Sequence, residues 1–184
     1  MSTFSSIRAF LVAAAVSGVL CLLVAVSVQQ ALRQGANDPQ IQLAEDIAAA
    51  LGRGAAPTGV VPPGTIDAKT SLATFAEVFD ASGKALTANV QIDGKTPPPP
   101  AGVLASVAAR GEDRVTWQTP GGERFAAVVA PYASPSGSGT VLVARSLREV
   151  EARESKTMRF AALAWAACLL AAGVGFFARR SKKS

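Results

Sequence analysis

Two long stretches of apolar, uncharged residues lie near the ends of the chain, at 9–32 and 160–178. The hydrocarbon core of a bilayer is about 30 Å thick, and a helix of about 20 mostly apolar residues crosses it. Both stretches reach that length, so the pattern predicts two transmembrane helices. A buried core helix is the alternative for 160–178, but an uncharged run with a basic end is typical of a membrane span.

The first apolar stretch has a second interpretation, as a cleaved signal peptide. Ala25, Val26 and Ser27 form a small-x-small tripeptide of the kind that signal peptidases cleave. A signal peptide has an apolar core of about 7–15 residues, and the stretch 9–32 is longer than that. Its length favours an uncleaved anchor, and cleavage stays open as the alternative.

The hydrophobic pattern between the two stretches changes to short elements. Apolar residues at helical spacing predict a stem helix in 33–53 and a short helix at 101–111, and the segment 54–70 has the composition of a linker. Five runs rich in β-forming residues predict strands, at 75–80, 85–90, 113–119, 123–132 and 139–146. Their short connections favour an antiparallel sheet, and we expect the helices on one face of it.

A long helix is predicted to follow the last strand. Ser146 and Glu149 form an S-x-x-E capping box, in which the serine side chain accepts a hydrogen bond from a first-turn amide and the glutamate reaches back to the serine amide. From 147 to 178 only two glycines near the end interrupt the helical pattern. At ~1.5 Å per residue, this helix is expected to be about 48 Å long. A second stem at 147–159 therefore continues directly into the second span.

The positions of the charges predict the orientation of both spans. All 13 Asp and Glu residues lie in 33–159, together with 13 of the 18 Lys and Arg residues, so that segment is neutral. The net charge of +5 comes from the residues outside it: Arg8, Arg179, Arg180, Lys182 and Lys183. Basic residues flank membrane spans on the cytoplasmic side, so both termini are expected in the cytoplasm. The difference in basic residues across the second span is small, because its inner end has four and its outer end has three: Arg153, Lys156 and Arg159.

The residue inventory also excludes several classes of function. The chain has no histidine, which removes Ser-His and Cys-His catalysis, His-ligated zinc and a phospho-accepting histidine. Cys21 and Cys168 lie in the two apolar stretches, where cysteine acts as a small packing residue. Because the segment 33–159 is neutral, a nucleic-acid partner is not expected. We expect neither an enzyme nor a cofactor or metal site.

Three segments of the middle region resemble a known family. The phrases "VFDASGKALTANVQIDG" (78–94), "GGERFAAVVAPY" (121–132) and "GTVLVARSLREVE" (139–151) are followed by an apolar span. Together they resemble the extracytoplasmic sensor module of bacterial two-transmembrane receptors, especially sensor histidine kinases. Such modules are PAS-like and are also called single Cache or PDC domains. The resemblance covers roughly residues 30–178, and it implies an α+β membrane protein in which two transmembrane helices flank a PAS-like five-stranded antiparallel sheet domain.

Pattern, charge and resemblance together predict how the chain is organised. The expected segments are a cytoplasmic N-terminus (1–8), a transmembrane helix (9–32), a stem helix (33–53), an extracytoplasmic PAS-like domain (54–146), a second stem (147–159), a second transmembrane helix (160–178) and a cytoplasmic basic tail (179–184). This arrangement implies a multi-pass protein of the bacterial inner (cytoplasmic) membrane.

The resemblance implies a sensor-like or regulatory role, in which ligand binding or partner contact shifts the second stem helix. Receptors of this family continue after the second span into a HAMP relay and a kinase, whereas this chain ends in "ARRSKKS". We therefore expect signalling through a separate partner, a kinase or an envelope protein, and a truncated receptor is the alternative. The competing function is a non-sensing accessory subunit of the envelope that uses the domain as an interaction platform.

The candidate ligand-pocket residues are polar or aromatic side chains of two predicted strands: Trp117, Arg124 and Tyr132. PAS-like sheets hold small molecules between the sheet and its covering loops. Ordinary sheet packing of the two aromatic residues and a solvated arginine are the alternative. Small residues recur at every fourth position in both spans, which is typical of close helix contacts, and with the resemblance they favour a homodimer. The lipid bilayer is the other expected partner.

Overall fold

The computed structural model of the chain describes residues 2–35 and 38–181. Its residues form two units, a helix unit (Met1–Arg33 with Glu151–Ser184) and a sheet unit (Gln34–Val150). In the predicted basic tail, the last three residues, which include Lys182 and Lys183, lie outside the described residues. The first boundary, at 33/34, follows the end of the apolar stretch 9–32, whereas the second, at 150/151, lies inside a helix that begins at Arg148.

The helix unit consists of α1 (Ser2–Gly35) and most of α5 (Arg148–Ser181). Both helices are long and apolar enough to cross a membrane, over Ile7–Ala31 and Arg148–Gly175. Large apolar side chains remain exposed along both of them, among them Leu11, Leu23, Leu163 and Leu170. Helices that are apolar around most of their surface are found in membranes or in the cores of large proteins.

A close contact joins α1 and α5 inside the helix unit. The indole Nε1 of Trp165 donates a hydrogen bond to the backbone carbonyl of Ala14 at 3.3 Å, and the Ser17 hydroxyl donates to the same oxygen at 3.1 Å. The ring lies against Gly18, where an added Cβ would be 3.1 Å from the indole nitrogen. A small residue at this position lets the tryptophan approach the backbone of α1.

The sheet unit contains α2 (Asp38–Gly52), α3 (Pro57–Val60) and α4 (Val103–Arg110). Its strands follow in chain order: β1 (Ile66–Asp67), β2 (Phe75–Asp80), β3 (Ala85–Ala88), β4 (Val90–Gln91), β5 (Asp113–Gln118), β6 (Arg124–Ser134) and β7 (Gly137–Ser146). Five of them form one antiparallel sheet in the order β3-β2-β7-β6-β5, and β1 and β4 form a separate parallel pair. The predicted α+β class with a five-stranded antiparallel sheet is confirmed.

The segment predicted as one strand at 85–90 is divided into β3 and β4 at Asn89. The Asn89 side chain is buried, and its Oδ1 accepts a hydrogen bond from the Ala76 amide at 2.8 Å. Its Nδ2 donates to the Pro62 carbonyl at 3.1 Å. This amide therefore ties the segment between the two strands both to β2 and to the chain before β1.

Helices cover both faces of the sheet, so the expectation of helices on one face is wrong. The inner strands β2, β6 and β7 bury side chains at successive positions rather than at alternate ones. One face packs against α2 through Ala44, Ile47 and Leu51, and the other packs against α4 through Val107. Strands that are apolar on both sides need cover on both sides. The predicted stem helix at 33–53 thus contributes, over α2, to the core of the sheet unit.

Candidate functional site

A cleft of about 420 Å³ lies between the segment 92–100 and the segment 117–123, which comprises the end of β5 and its connection to β6. Lys69 reaches it from the loop between β1 and β2, and several prolines and one tryptophan supply the apolar lining: Pro97, Pro98, Pro100, Pro120 and Trp117. We call this the tryptophan cleft. Largely apolar clefts with a few placed polar groups are typical small-molecule sites.

A tight turn presents one acidic group to the tryptophan cleft. Asp93 and Gly94 have φ values of 51° and 74°, in the left-handed region that glycine and aspartate tolerate better than most residues. On either side, Ile92 and Lys95 exchange backbone hydrogen bonds of 2.7 and 3.0 Å. An Asp-Gly pair between two bridged residues is the sequence expected for such a turn. The turn fixes the backbone from which the Asp93 carboxylate extends.

Trp117 forms the aromatic wall of the cleft. Burial along β5 alternates, and Trp117 lies on the more buried side of the strand. Its ring centroid is 5.3 Å from that of Phe125, which in turn packs edge-to-face against Phe75 at 5.5 Å. Because Phe75 and Phe125 are fully buried, they fix the tryptophan from the core side, and its half-buried ring is left to line the cleft.

Lys69 connects the acidic groups of the cleft. Its Nζ lies 2.6 and 2.8 Å from the two carboxylate oxygens of Asp93 and 4.0 Å from Oε1 of Glu123. The hydrogen bond to Asp93 is the main cause that raises the pKa of Lys69. The Thr119 hydroxyl donates to Oε2 of Glu123, and this hydrogen bond is the main cause that lowers the pKa of that carboxyl. Lys69 and Glu123 are therefore charged at neutral pH.

The charges that line the cleft balance. Two basic residues, Lys69 and Lys95, and two acidic residues, Asp93 and Glu123, are part of its lining. The Lys69–Asp93 pair is solvent-exposed, with side-chain exposures of 38% and 71%, so it contributes little to stability and can exchange partners. A molecule with an apolar part would contact Trp117 and the prolines while its polar group competes for this pair.

A second cavity, of about 600 Å³, lies between α4, the β2–β3 turn and the ends of β6 and β7. We call it the turn cavity. Asp80 shapes it, because its Oδ1 accepts hydrogen bonds from the Ser82 amide, the Ser82 hydroxyl and the Lys84 amide at 2.6–3.0 Å. Thr140 lines the cavity and is 6% exposed, and its Oγ1 has no hydrogen-bond partner among the described residues.

Tyr132 spans the central strand at the edge of the turn cavity. Its hydroxyl donates to the Phe79 carbonyl on β2 at 3.2 Å, although Tyr132 itself lies on β6. The residue between them is Gly139 on β7, where a Cβ would lie 2.0 Å from the Phe79 carbonyl oxygen and 2.8 Å from the tyrosine oxygen. Gly139 therefore makes room for the close approach of these groups.

An acidic side chain lies in the core outside both cavities. Glu77 on β2 is 1% exposed, and its cross-strand neighbours are Ala88 and Leu142. Neither carboxylate oxygen has a hydrogen-bond partner among the described residues. Burial raises the pKa of Glu77 to about 8, because an apolar environment disfavours the charged form.

The structure does not bring the three predicted pocket residues together. Trp117 lines the tryptophan cleft, whereas Tyr132 lines the turn cavity and packs on the opposite face of the sheet, beside α2. Arg124 is exposed at the start of β6. The ionic groups of the cleft were not among the residues predicted from the sequence: Lys69, Asp93 and Glu123. Two of them, Asp93 and Glu123, lie next to a glycine of a turn. Acidic residues are common at ordinary turns, so this position does not indicate a binding site.

Comparison with known proteins gives little further information. No family model matches the chain, and no curated protein matches it. A solved structure, a Mycobacterium tuberculosis transcriptional regulator, is similar to it over 44% of this chain and 31% of that chain, at 17% identity and a TM-score of 0.34. The chain thus spans about a third of the length of that regulator, and at this TM-score the likeness carries no argument about fold or function.

Proposed function

We propose that this chain is a sensor-like, regulatory protein of the bacterial inner membrane. In this proposal α1 and α5 cross the bilayer, both termini lie in the cytoplasm and the sheet unit is a PAS-like extracytoplasmic domain. The tryptophan cleft is the stimulus site, and the output is a separate partner protein. The charge distribution, the two apolar helices and the cleft support this proposal.

The connection between the sheet and α5 is the observation that carries the proposal. The central strand β7 pairs with β2 on one side and β6 on the other, and it ends at Ser146. After the single residue Leu147, α5 begins at Arg148. The Leu147 amide donates to the Arg124 carbonyl at 2.9 Å, so even this residue is held to β6. A change in the sheet therefore has a short, ordered path to the start of α5.

The serine contact of the predicted capping box is present at this junction, and the contact given for Glu149 differs from the predicted one. The Ser146 hydroxyl accepts a hydrogen bond from the Arg148 amide at 3.3 Å, two residues on rather than three. Glu149 forms an ion pair with Arg145 at 3.4 Å, one turn back along the chain. The junction is still stabilised by both side chains, because each satisfies a polar group close to the first turn of the helix.

An accessory role is the second candidate function, and the edge of the sheet favours it. β5 is an outer strand that pairs only with β6 among the described strands, and its outward residues are exposed. An unpaired strand edge offers backbone donors and acceptors to a strand from another protein. In this role the sheet unit would hold a fixed partner rather than respond to a stimulus.

Labelling of single cysteines in spheroplasts tests the proposed topology. In a Cys21→Ala/Cys168→Ala background, Ser82→Cys places a thiol in the exposed β2–β3 turn, and Lys183→Cys places one near the C-terminus. We expect a membrane-impermeant maleimide to label Ser82→Cys in spheroplasts and Lys183→Cys only after lysis. Labelling of Ser82→Cys only after lysis would place the sheet unit in the cytoplasm and rule out the receptor proposal.

A further inference from the structure

Two structural features meet at Lys69. Its side chain pairs with Asp93 in the tryptophan cleft, while its backbone carbonyl accepts a hydrogen bond from Nη1 of Arg148 at 2.6 Å. The other terminal nitrogen of Arg148, Nη2, donates to the Thr70 carbonyl at 2.8 Å. Arg148 is the first residue of α5. A single loop residue thus contacts both the cleft and the start of the helix that we propose to cross the membrane.

The loop that offers these carbonyls, residues 68–74, is itself ordered. The Asp67 carboxylate accepts hydrogen bonds from the Lys69 amide at 3.0 Å and the Thr70 hydroxyl at 3.2 Å. The Asp67 carbonyl accepts one from the Ser71 amide at 2.9 Å. Asp67 thus holds residues 69–71 in one turn. Because these hydrogen bonds tie residues 69–71 together, we expect a displacement of Lys69 to move the Thr70 carbonyl as well.

We propose that Arg148 is a latch that connects the tryptophan cleft to the first turn of α5. An occupant of the cleft that separates Lys69 from Asp93 shifts the loop 68–74, and the Arg148 guanidinium is released with it. The signalling consequence rests on the proposed function, but the latch itself is a property of the sheet unit. The proposal gives a regulatory role to Arg148, which lines neither the tryptophan cleft nor the turn cavity.

The chemistry of the side chain suits this role. A guanidinium presents a planar pair of donors, and two carbonyls in one turn fix both its position and its direction. A lysine ammonium would reach one carbonyl without fixing that direction. The groups are exposed to solvent, so their interactions are weak enough to break when a competing group arrives. We therefore expect the latch to have a bound and a released state.

Hydrogen exchange of backbone amides tests the latch in the full-length protein in detergent micelles. In Arg148→Gln we expect amides of 68–74 to exchange roughly three- to tenfold faster, because the loop loses two charge-assisted hydrogen bonds. Arg114→Gln is the matched control, since Arg114 also makes an exposed ion pair, with Glu112 at 3.0 Å, away from the loop. Equal exchange of 68–74 in the two variants would overturn the proposal.

The second arm changes the cleft and measures the helix. Asp93→Asn removes the partner of Lys69 and keeps a residue that tolerates the left-handed backbone. We expect the amides of 147–156 to exchange faster in Asp93→Asn than in the control Asp113→Asn. In the Asp93→Asn/Arg148→Gln double variant, these amides should exchange no faster than in Arg148→Gln alone. Additive effects, or an effect confined to 68–74, would show that the cleft and α5 are independent.

Two further measurements keep the test decisive. Amides of the central segment 141–144 report on global unfolding. An increase in 141–144 as large as that in 68–74 would show general destabilisation of the sheet unit instead of a released latch, and would overturn the proposal. Arg148→Lys keeps the charge without the planar fork, and we expect the same ranking of effects with smaller increases. The topology labelling is a separate assay, so failure of the membrane proposal and failure of the latch give different results.

Discussion

At the scale of single residues, Glu77 is an acidic side chain buried among apolar ones. Apolar side chains of the sheet and α4 pack on its side of the sheet. Burying an ionised carboxylate without partners costs several kcal/mol, and proteins avoid the cost by protonating the group. Because burial raises the pKa of Glu77 to about 8, the folded protein holds this proton at neutral pH.

The stability of the sheet unit is therefore expected to fall as the pH rises from about 4.5, the ordinary pKa of glutamate, to about 8. Below this interval Glu77 is protonated in both the folded and the unfolded chain. Within it, unfolding releases a proton, so rising pH favours the unfolded state until the loss is complete above pH 8. At ~1.4 kcal/mol per pKa unit, the loss is roughly 3–5 kcal/mol. Thermal unfolding of the full chain in micelles between pH 5 and 9, followed by circular dichroism, measures it.

The variant Glu77→Gln isolates this contribution. We expect its melting temperature to change much less between pH 5 and 8.5 than that of the parent protein, because an amide does not titrate. Glu45→Gln on the exposed side of α2 is the control, and it should keep the parental pH dependence. A parental slope in Glu77→Gln would show that other groups cause the pH dependence.

At the scale of elements, the contact between α1 and α5 depends on complementary sizes. Trp165 donates to the Ala14 carbonyl because Gly18 leaves space for its ring. Residues that let helices approach closely are the main device for specific packing in membranes, where the hydrophobic effect does not drive association. The small-residue pattern predicted a homodimer, and that stays a prediction. The contact seen here joins α1 and α5 of one chain at Ala14 and Gly18.

The variant Gly18→Leu is expected to separate this pair. Its side chain would overlap the indole, and overpacking of this kind costs about 1–3 kcal/mol. Trp165 emission reports the change directly in a Trp117→Phe background, since the chain has two tryptophans. We expect altered emission and greater quencher access in Gly18→Leu. Gly173→Leu on α5 is the matched control, because a Cβ there meets nothing within 4 Å. Equal changes in both variants would contradict the packing role of Gly18.

At the scale of the whole molecule, the proposal connects a solvent-exposed cleft to a helix that is apolar enough to cross a membrane. The path consists of Lys69, the loop 68–74, Arg148 and α5. A sensor needs two states whose populations a stimulus changes. An accessory subunit needs only one state and a constant partner. These two functions therefore differ in a measurable way.

Disulfide crosslinking of single cysteines placed along 147–158 separates the two functions. If the protein is a homodimeric sensor, we expect crosslinked dimers at positions three or four residues apart, as on one side of a helix. The variant Asp93→Asn should then change the relative yields of these positions. Unchanged yields, together with co-purification of one fixed membrane complex from parent and variant, would favour the accessory role.

The parts of this fold that the sequence predicts are those that depend on interactions between residues close together in the chain. Strands such as 75–80 were found at their observed bounds because β-forming residues and turn residues act locally. The position of α2 was missed, since its helical spacing shows an apolar side but not the surface that this side covers. The consecutive apolar positions of β6 were a usable signal that the sheet is covered on both faces.

The sequence by itself determined the two apolar helices, the strands and turns, and the charge pattern, because each depends on neighbours within a few residues. Only the tertiary structure decided which groups meet in the tryptophan cleft and at the latch. Lys69 and Asp93 are 24 residues apart, and Arg148 and Lys69 are 79 apart. Contacts at such separations depend on how the strands pair and on which loops then come close together. Local patterns of polarity do not specify that outcome.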